Sequence, residues 1–326
     1  MYSKRRTLAE KFSLTNQKID IPRDSIIDSI DVKVTATVHN AAATDYVGKL
    51  QAVLDAITSM RVISDGNKVH YSVTGLDCAI LNYYGNKSIA PDPDEVLTVP
   101  DGEDVTVSFM LTLDEGDILA ALKDSLEFTL ETKAAITADV SITAFEGLVS
   151  ISENVMTPAE FVASYGQDAA NSAEPKVTSY EKAFDASDEL REFIDLPTGT
   201  LLRRAFLIVK NASGVRAGVT PTKIGLIRTT PDRSEMYTID YATIQQINQR
   251  KYELHQGFIP GVVAIDYGSE ITNDNFGLRG WKFNKGDYQA AVKCSTAGKV
   301  RYLSIEYVVN TPMFDQLAKA ATEATE

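Results

Sequence analysis

Carboxylates in turn segments are the residues of this sequence whose type and spacing could bind a ligand. Asp92 and Asp94 lie in a proline-flanked segment, and Asp101 and Asp104 follow shortly after it. Hard oxygen ligands on a turn are those that calcium prefers, although the spacing does not match an EF-hand loop. The alternative is a solvated acidic turn. We therefore predict no cofactor and keep calcium as the one candidate ligand, with these four aspartates as its site.

Patterns that carry catalysis are missing from the sequence. None of the three histidines, His39, His70 and His255, has a second metal-binding residue at the short spacing of metal motifs. The sequence contains no glycine-rich phosphate loop, no nucleophile elbow and no dinucleotide fingerprint. A glycosidase needs two opposed carboxylates, which a sequence rich in acids cannot single out. We therefore predict a structural or binding protein rather than an enzyme.

The charge of the chain is uneven. Its 326 residues carry a net charge of −13, which argues against broad, specific contact with nucleic-acid phosphates. The first residues are basic instead, with Lys4, Arg5, Arg6 and Lys11 followed by Phe12. A basic arm of this kind can bind anionic lipid headgroups, and the alternative is a frayed, solvated terminus.

Two cysteines and the absence of long apolar runs suggest where the protein is made. Cys78 and Cys294 have no metal or redox spacing, so we predict buried free thiols in a protein made in reducing cytosol. No signal-peptide core or run of eighteen apolar residues is present. We expect a protein that is neither classically secreted nor membrane-spanning.

Strand patterns dominate the elements that must position these residues. The segment from Ile30 to Val38 alternates apolar and polar residues with a period of two. Residues 201–209 instead read as a strand that is apolar on both faces. Helical patterns are few, and we predict short helices at 47–58, 116–123 and 241–251.

The sequence also repeats itself. Residues 71–82, YSVTGLDCAILN, align with residues 237–248, YTIDYATIQQIN, and each reads as a strand followed at once by a helix. Asn82 matches Asn248 in this alignment. Three further strand pairs recur in the same order at similar offsets: 28–38 with 198–208, 126–133 with 286–293, and 138–148 with 300–310. The repetition predicts two copies of one all-β module.

The predicted organisation follows from this duplication. Residues 157–182 lack strand alternation and are rich in Ala, Ser and Pro, which indicates a linker that begins with a short helix at 158–164. The predicted divisions are a basic N-terminal arm at 1–20, a first all-β module at 21–156, the linker at 157–182, a second all-β module at 183–310, and a C-terminal helix or tail at 311–326.

This pattern resembles the double jelly-roll major capsid proteins of icosahedral viruses with an internal membrane. The resemblance rests on the module openings IIDSIDVKVTATV and LREFIDLPTGTLLRRAFLIV. It rests also on the strand-then-helix pair YSVTGLDCAILNYY and MYTIDYATIQQINQRKYEL, and on GVVAIDY and YLSIEYVV. It covers about residues 20–310 and is closest to the small bacteriophage members of the tectivirus, corticovirus and finnlakevirus lineages, because the loops here are short.

The resemblance implies a fold and a function. The fold is all-β, with two tandem eight-stranded antiparallel jelly-roll sandwiches, a few short helices and a C-terminal helix. The function is that of a major capsid protein whose trimers act as pseudo-hexamers and tile an icosahedral shell around a membrane vesicle. Implied partners are the homotrimer, neighbouring capsomers, penton or minor capsid proteins, and lipid bound through Lys4, Arg5, Arg6, Lys11 and Phe12. The protein would be made in the host cytoplasm and located in the virion.

Two other classes of function stay open at this point. One is a carbohydrate-binding or glycan-cleaving double β-sandwich, such as a phage spike or receptor-binding protein. The other is a minor vertex protein of the same virion. A native mass measurement separates these alternatives, because only the capsid interpretation requires a stable trimer.

Overall fold

A computed structural model describes residues 2–12, 17–85, 90–155, 173–254, 257–267, 281–282 and 287–309. These residues divide into two compact units, the first ending at Val155 and the second beginning at Ala173. The predicted linker helix at 158–164 and the C-terminal helix at 311–326 lie outside the described residues. Among those described, no helix combines the length and the apolar content that a membrane crossing requires.

The first unit contains two four-stranded antiparallel sheets. Its alternating strand β3 sends Ile30, Val32 and Val34 into the core, where all three are fully buried, as the period-two pattern predicts. One sheet has the order β1-β10-β3-β8, with bounds Tyr2–Phe12, Val140–Val155, Ile26–Asn40 and Asp104–Leu113. The other has the order β2-β9-β5-β6, with bounds Gln17–Asp20, Leu126–Thr132, Ile57–Ser64 and Lys68–Val73.

Smaller elements complete the first unit. A two-stranded ribbon pairs β4 (Tyr46–Lys49) with β7 (Val96–Val99). Helix α1 (Gln51–Leu54) is one turn long, helix α2 (Gly75–Tyr84) follows β6 directly, and Ala120–Leu122 form a 3-10 turn.

The second unit repeats the same arrangement. One sheet has the order β11-β19-β13-β16, with bounds Ala173–Phe184, Gly298–Val309, Leu201–Asn211 and Val262–Asp266, and the short β17 (Trp281–Lys282) pairs with β13. The other has the order β12-β18-β14-β15, with bounds Ser187–Asp195, Tyr288–Cys294, Lys223–Arg228 and Ser234–Asp240. Helix α3 (Tyr241–Lys251) follows β15 directly.

The strand orders of the two units correspond one to one, so the predicted duplication is confirmed. Each repeated pair from the sequence falls on equivalent elements: β3 with β13, β9 with β18, β10 with β19, and the strand-then-helix pair on β6–α2 and β15–α3. The eight strands per unit are those of an eight-stranded antiparallel jelly roll, as predicted. Both cysteines are buried and free.

Four local expectations were wrong. Residues 47–58 do not form one helix but the strand β4, the single turn α1 and the start of β5, and the predicted helix at 116–123 is reduced to a 3-10 turn. The last part of the predicted linker, from Ala173 onward, is strand β11. The predicted N-terminal arm at 1–20 contains strands β1 and β2, which pair with β10 and β9. Both strands β1 and β11 were missed because their polar residues face ion partners rather than a core.

Candidate functional site

The matched asparagines of the two repeats make the same contact. In the first unit the Asn82 side-chain amide donates to the carbonyl oxygen of Thr112 at 2.6 Å and accepts from the Thr112 N–H at 2.7 Å. In the second unit the Asn248 amide donates to the carbonyl of Ala264 at 3.0 Å and accepts from its N–H at 2.7 Å. Each helix is thereby tied to the backbone of an equivalent strand, β8 or β16. The match in the sequence therefore reports a shared structural role.

A buried carboxylate forms the centre of what we name the first cluster: Glu153, Lys4, Arg6 and Ser25. Glu153 is fully buried near the end of β10. Its Oε1 accepts from Arg6 Nε at 2.9 Å and lies 3.3 Å from Lys4 Nζ, and its Oε2 accepts from Ser25 Oγ at 2.5 Å. A buried charge of this kind is tolerated only when paired and hydrogen-bonded. Both oxygens of Glu153 meet that condition.

A further carboxylate extends the first cluster to the surface. Arg6 also donates to Asp24 at 3.2 and 3.3 Å. Burial of Asp24 works against its ionised form, but the hydrogen bond and the charge of Arg6 outweigh this effect and lower its pKa. The guanidinium therefore bridges two carboxylates.

A second cluster occupies the equivalent place in the second unit: Glu306, Lys176, Thr200 and Ser304. Glu306 is buried in β19. Its Oε2 accepts from Lys176 Nζ at 3.0 Å and from Thr200 Oγ1 at 2.6 Å, and its Oε1 accepts from Ser304 Oγ at 2.7 Å. This carboxylate is again fully hydrogen-bonded, with one cation and two hydroxyls.

Strand register shows that the two clusters are equivalent. Glu153 pairs with Lys4 on one side and Ile27 on the other. Glu306 pairs with Lys176 and with Leu202 in the same way. In each unit, one hydroxyl donor is the residue two positions before the partner on β3 or β13: Ser25 before Ile27, and Thr200 before Leu202. In each unit, one carboxylate thus joins the first, third and last strands of a sheet.

Neither cluster was predicted from the sequence. Lys4 and Arg6 were predicted to belong to a lipid-binding arm, although both bind Glu153, which lies far away along the chain. A usable signal was present, because Glu153 is the one charged residue in the stretch LVSISENV (148–155), and Glu306 is the one charged residue in YLSIEYVV (302–309). A charge at such a position indicates a buried ion partner.

The other predicted contact residues are placed as follows. Arg5 is largely exposed, and its guanidinium lies 3.5 Å from Asp31 Oδ2. Lys11 and Phe12 belong to β1, but their side chains lie outside the described residues. Lipid contact through this segment stays a prediction.

The calcium candidates do not converge on one point. The Asp92 carboxylate accepts from the backbone N–H of Asp94, and the Asp94 carboxylate is bound to Lys49 Nζ. Asp104 is paired with His39 Nδ1 at 2.8 Å, and Asp101 lies in the turn before it. Within the described ranges, no group of three or more His, Cys, Asp or Glu side chains is placed to hold a metal ion. The carboxylates of Asp92, Asp94 and Asp104 are therefore used in local contacts.

Comparison of the whole chain with known proteins gives matches among solved structures alone. No family model and no curated protein matches the sequence. The STIV MCP, the major capsid protein of Sulfolobus Turreted Icosahedral Virus, is 22% identical, with a TM-score of 0.82 over 98% of this chain and 99% of that one. The atomic structure of the Sulfolobus Turreted Icosahedral Virus matches at 20% identity and a TM-score of 0.78, over 98% and 96%.

A more distant match shares the same architecture. The major capsid protein P2 from bacteriophage PM2 is 12% identical, with a TM-score of 0.56 over 94% of this chain and 97% of that one. At these identities the likeness establishes the fold. Because it extends over nearly the full length of each chain and both units repeat one strand order, this chain has the double jelly-roll fold of these capsid proteins.

Proposed function

We propose that this protein is a structural protein, the major capsid protein of an icosahedral virus, and that it works as a homotrimer. The observation that carries the proposal is the fold of the whole chain. Two equivalent eight-stranded units follow each other, and their full-length counterparts with TM-scores above 0.5 include the STIV MCP and PM2 P2. The alternatives of a glycan-binding sandwich and a minor vertex protein have no comparable support.

The mechanism is geometric. Three chains with two equivalent units each present six similar bodies, so that a trimer occupies a position of sixfold shape in a shell. Closed rotational symmetry limits such a complex to three copies. Each unit suits this role because its strands are hydrogen-bonded into two packed sheets, and a buried carboxylate ties three strands of one sheet together.

The finer features remain part of the proposal. We expect the trimers to contact neighbouring capsomers and penton or minor capsid proteins and to enclose an internal membrane vesicle. The protein would be made in the host cytoplasm and reside in the virion. The sequence resemblance implies that the source is a bacteriophage of the tectivirus, corticovirus and finnlakevirus lineages.

Native mass of the purified full chain tests the proposal. Since one chain has a mass of 35.6 kDa, the expected result is a species of three such chains by native mass spectrometry and light scattering, with six-lobed particles in electron micrographs. A chain that stays monomeric over the micromolar range, or that binds a glycan array as a monomer, would contradict it.

Lipid contact by the N-terminal strand needs a test that leaves the first cluster intact. Because Lys4 and Arg6 hold Glu153, deleting this strand would unfold part of the unit rather than report on lipid. The informative variant is Lys11→Glu with Phe12→Ser, compared with the exposed control Lys33→Glu in flotation with phosphatidylglycerol-containing vesicles. We expect the double variant alone to lose vesicle binding. Equal binding by both variants and the wild type would reject lipid contact at these positions.

A further inference from the structure

The β4–β7 ribbon carries an exposed apolar face. Its inner face sends Leu97 and Val99 into the first unit, where both are buried. On the outer face Val47 and Val96 are 69% and 68% exposed. The register places them as diagonal neighbours, since Val47 pairs with Thr98 and Lys49 with Val96. Two β-branched side chains side by side in water favour a partner surface.

The edge of this ribbon is acidic. The side chain of Glu95, next to Val96, is exposed and has no ion pair among the described residues. Lys49, which pairs with Val96 across the ribbon, is bound to Asp94, so its charge is already paired. The described connections of the second unit between β13 and β14, and between α3 and β16, contain no comparable ribbon. The ribbon therefore distinguishes the first unit from the second.

A groove on the second unit has complementary properties. It lies on the face of the sheet β12-β18-β14-β15 that carries Lys223 and Lys293 and has a volume of about 430 Å³. Its lining residues are Glu189, Leu190, Lys223, Arg233, Glu235, Thr238 and Lys293. Gly225 lies next to it, and a Cβ there would lie 3.0 Å from Leu190 Cδ2. The groove thus places the apolar side chain of Leu190 beside two lysines.

Two lysines in this groove lack a counter-charge. Lys223 and Lys293 are directly opposite each other on β14 and β18, and like charges in that position destabilise a sheet. Neither ammonium lies within ion-pair distance of a carboxylate in the part of the chain that the structure describes, including Asp240 across from Lys223.

The remaining charged groups of the groove are already engaged. Arg233 binds Glu192 at 2.6 Å, Glu235 accepts from the Thr238 hydroxyl, and Glu189 lies 3.4 Å from Arg191. The lining therefore carries three cations and two carboxylates, a net charge of +1 by count (3 − 2), and both of its lysines lack an ion-pair partner in the described residues.

The equivalent place in the first unit lacks the lysine pair. Strand register relates Lys223 and Lys293 of the second unit to Ser59 and Glu131, which pair with each other on β5 and β9. The first unit thus has the apolar, acidic ribbon without the basic groove, and the second has the groove without the ribbon. Such a division suits contacts between unlike units of neighbouring copies.

We propose that the β4–β7 ribbon of one copy docks into the Lys223–Lys293 groove of a second copy, with Val47 and Val96 toward Leu190 and Glu95 facing the lysines. This inference rests on the proposed trimer. Contacts of this head-to-tail kind either close into a ring or grow into a filament, and the trimer requires closure. Strand β4 of the ribbon leads through α1 into the start of β5, and the groove residue Lys223 begins β14, the strand equivalent to β5.

Charge reversal tests the pairing. Glu95→Lys and Lys293→Glu should each raise the dissociation constant of the trimer about 10- to 100-fold. The two changes in one chain restore an opposite-charge pair, so the double variant should return to within about threefold of the wild type. The matched control is Lys182→Glu, an exposed lysine on β11, which should leave the constant unchanged. Sedimentation equilibrium measures the four variants and the wild type.

The outcomes separate this inference from the proposed function. A wild-type chain that is not trimeric rejects the proposed function. A trimeric wild type whose dissociation constant is unchanged by Glu95→Lys and Lys293→Glu rejects the ribbon and groove contact alone. Loss of trimer without rescue in the double variant also rejects the specific pairing.

Cross-linking tests closure of the ring. In a chain with Val96→Cys and Thr238→Cys, a short bismaleimide should convert the protein to a covalent trimer with no higher ladder. The wild type is the control, since Cys78 and Cys294 are buried. Cross-links confined to single chains, or an open ladder of higher species, would overturn the proposed contact.

Discussion

The two carboxylate clusters occupy the same register but use different donors. Glu153 is held by two cations, Lys4 and Arg6, and one hydroxyl, from Ser25. Glu306 is held by one cation, Lys176, and two hydroxyls. The position of the carboxylate is therefore the shared feature, and its donors differ between the units.

Register explains how the donors differ. Arg6 pairs with Ile151 on β10, and the equivalent pair in the second unit is Thr178 with Ser304. Ser304 donates to Glu306, whereas Ile151 has no polar group to offer. A serine in the last strand thus takes the place of an arginine in the first strand. Glu153 therefore keeps one cation when the other is removed, whereas Glu306 is paired with Lys176 alone.

The largest expected effect concerns the asparagine-to-backbone contact that both units share. Asn82→Leu and Asn248→Leu should each lower the free energy of unfolding by about 3 kcal/mol, because each leaves one buried backbone N–H and one buried C=O without a partner. The exposed Asn67→Leu is the control. Urea unfolding, with hydrogen exchange of β8 and β16, measures the effect. A loss in one unit alone would show that the two amides are not equivalent.

The next effect should separate the two clusters. Lys176→Met removes the one cation at Glu306 and should cost about 2 kcal/mol, less than for a fully enclosed pair because the lysine is partly exposed. Lys4→Met leaves Arg6 bound to Glu153 and should cost less than about 1 kcal/mol.

Hydrogen exchange of β19 and β10 assigns each loss to its unit, so the two lysine variants can be compared within one chain. Equal losses of unfolding free energy in the two variants would contradict the expectation that Arg6 still compensates Glu153 when Lys4 is replaced.

These contrasts also show what the sequence could and could not reveal. The duplication was predictable because apolar alternation and the Asn82/Asn248 match depend on short-range patterns that every strand and helix carries. The clusters were not, because Lys4 and Glu153 are neighbours in register but belong to the first and last strands of a unit. Basic residues near a terminus resemble a free arm until that pairing is known.

The error at residues 47–58 has a different physical cause. Leu50, Val53, Leu54 and Ile57 are buried, as the helical pattern predicted, but Val47 is exposed on the ribbon. A strand, one helical turn and a second strand can bury the same residues as a continuous helix of this length. Periodicity alone cannot separate the two arrangements over so few residues.

A smaller effect compares the two strand-to-helix corners. Thr74 caps α2, since its hydroxyl accepts from the Asp77 N–H while the Asp77 carboxylate accepts from the Thr74 N–H at 2.8 Å. Asp240 begins α3 without a side-chain cap bond. We expect Thr74→Ala to cost about 1 kcal/mol and Asp240→Ala a few tenths. Thermal unfolding measures both, and equal losses would remove this distinction between the units.

The smallest effect concerns the outward faces of equivalent sheets. In the first unit, Thr35 and Ser108 form a hydroxyl pair at 3.0 Å. In the second, Lys210 takes the place of Thr35 and binds Glu181 at 2.8 Å. Partial burial works against ionised Glu181, but the hydrogen bond and the charge of Lys210 outweigh it and lower the pKa.

A lowered carboxylate pKa stabilises the fold at neutral pH, and this contribution is lost as the pH falls through the ordinary pKa of glutamate toward the lowered value. Glu181→Gln should therefore cost about 0.5 kcal/mol at neutral pH, a small amount because the pair is partly exposed. The difference from wild type should shrink as the medium is acidified, because protonated glutamate and glutamine are both neutral. Urea unfolding across that pH range measures it, with Thr35→Val as the control for the uncharged face. A difference that stays constant with pH would show that Glu181 acts through packing and not through its charge.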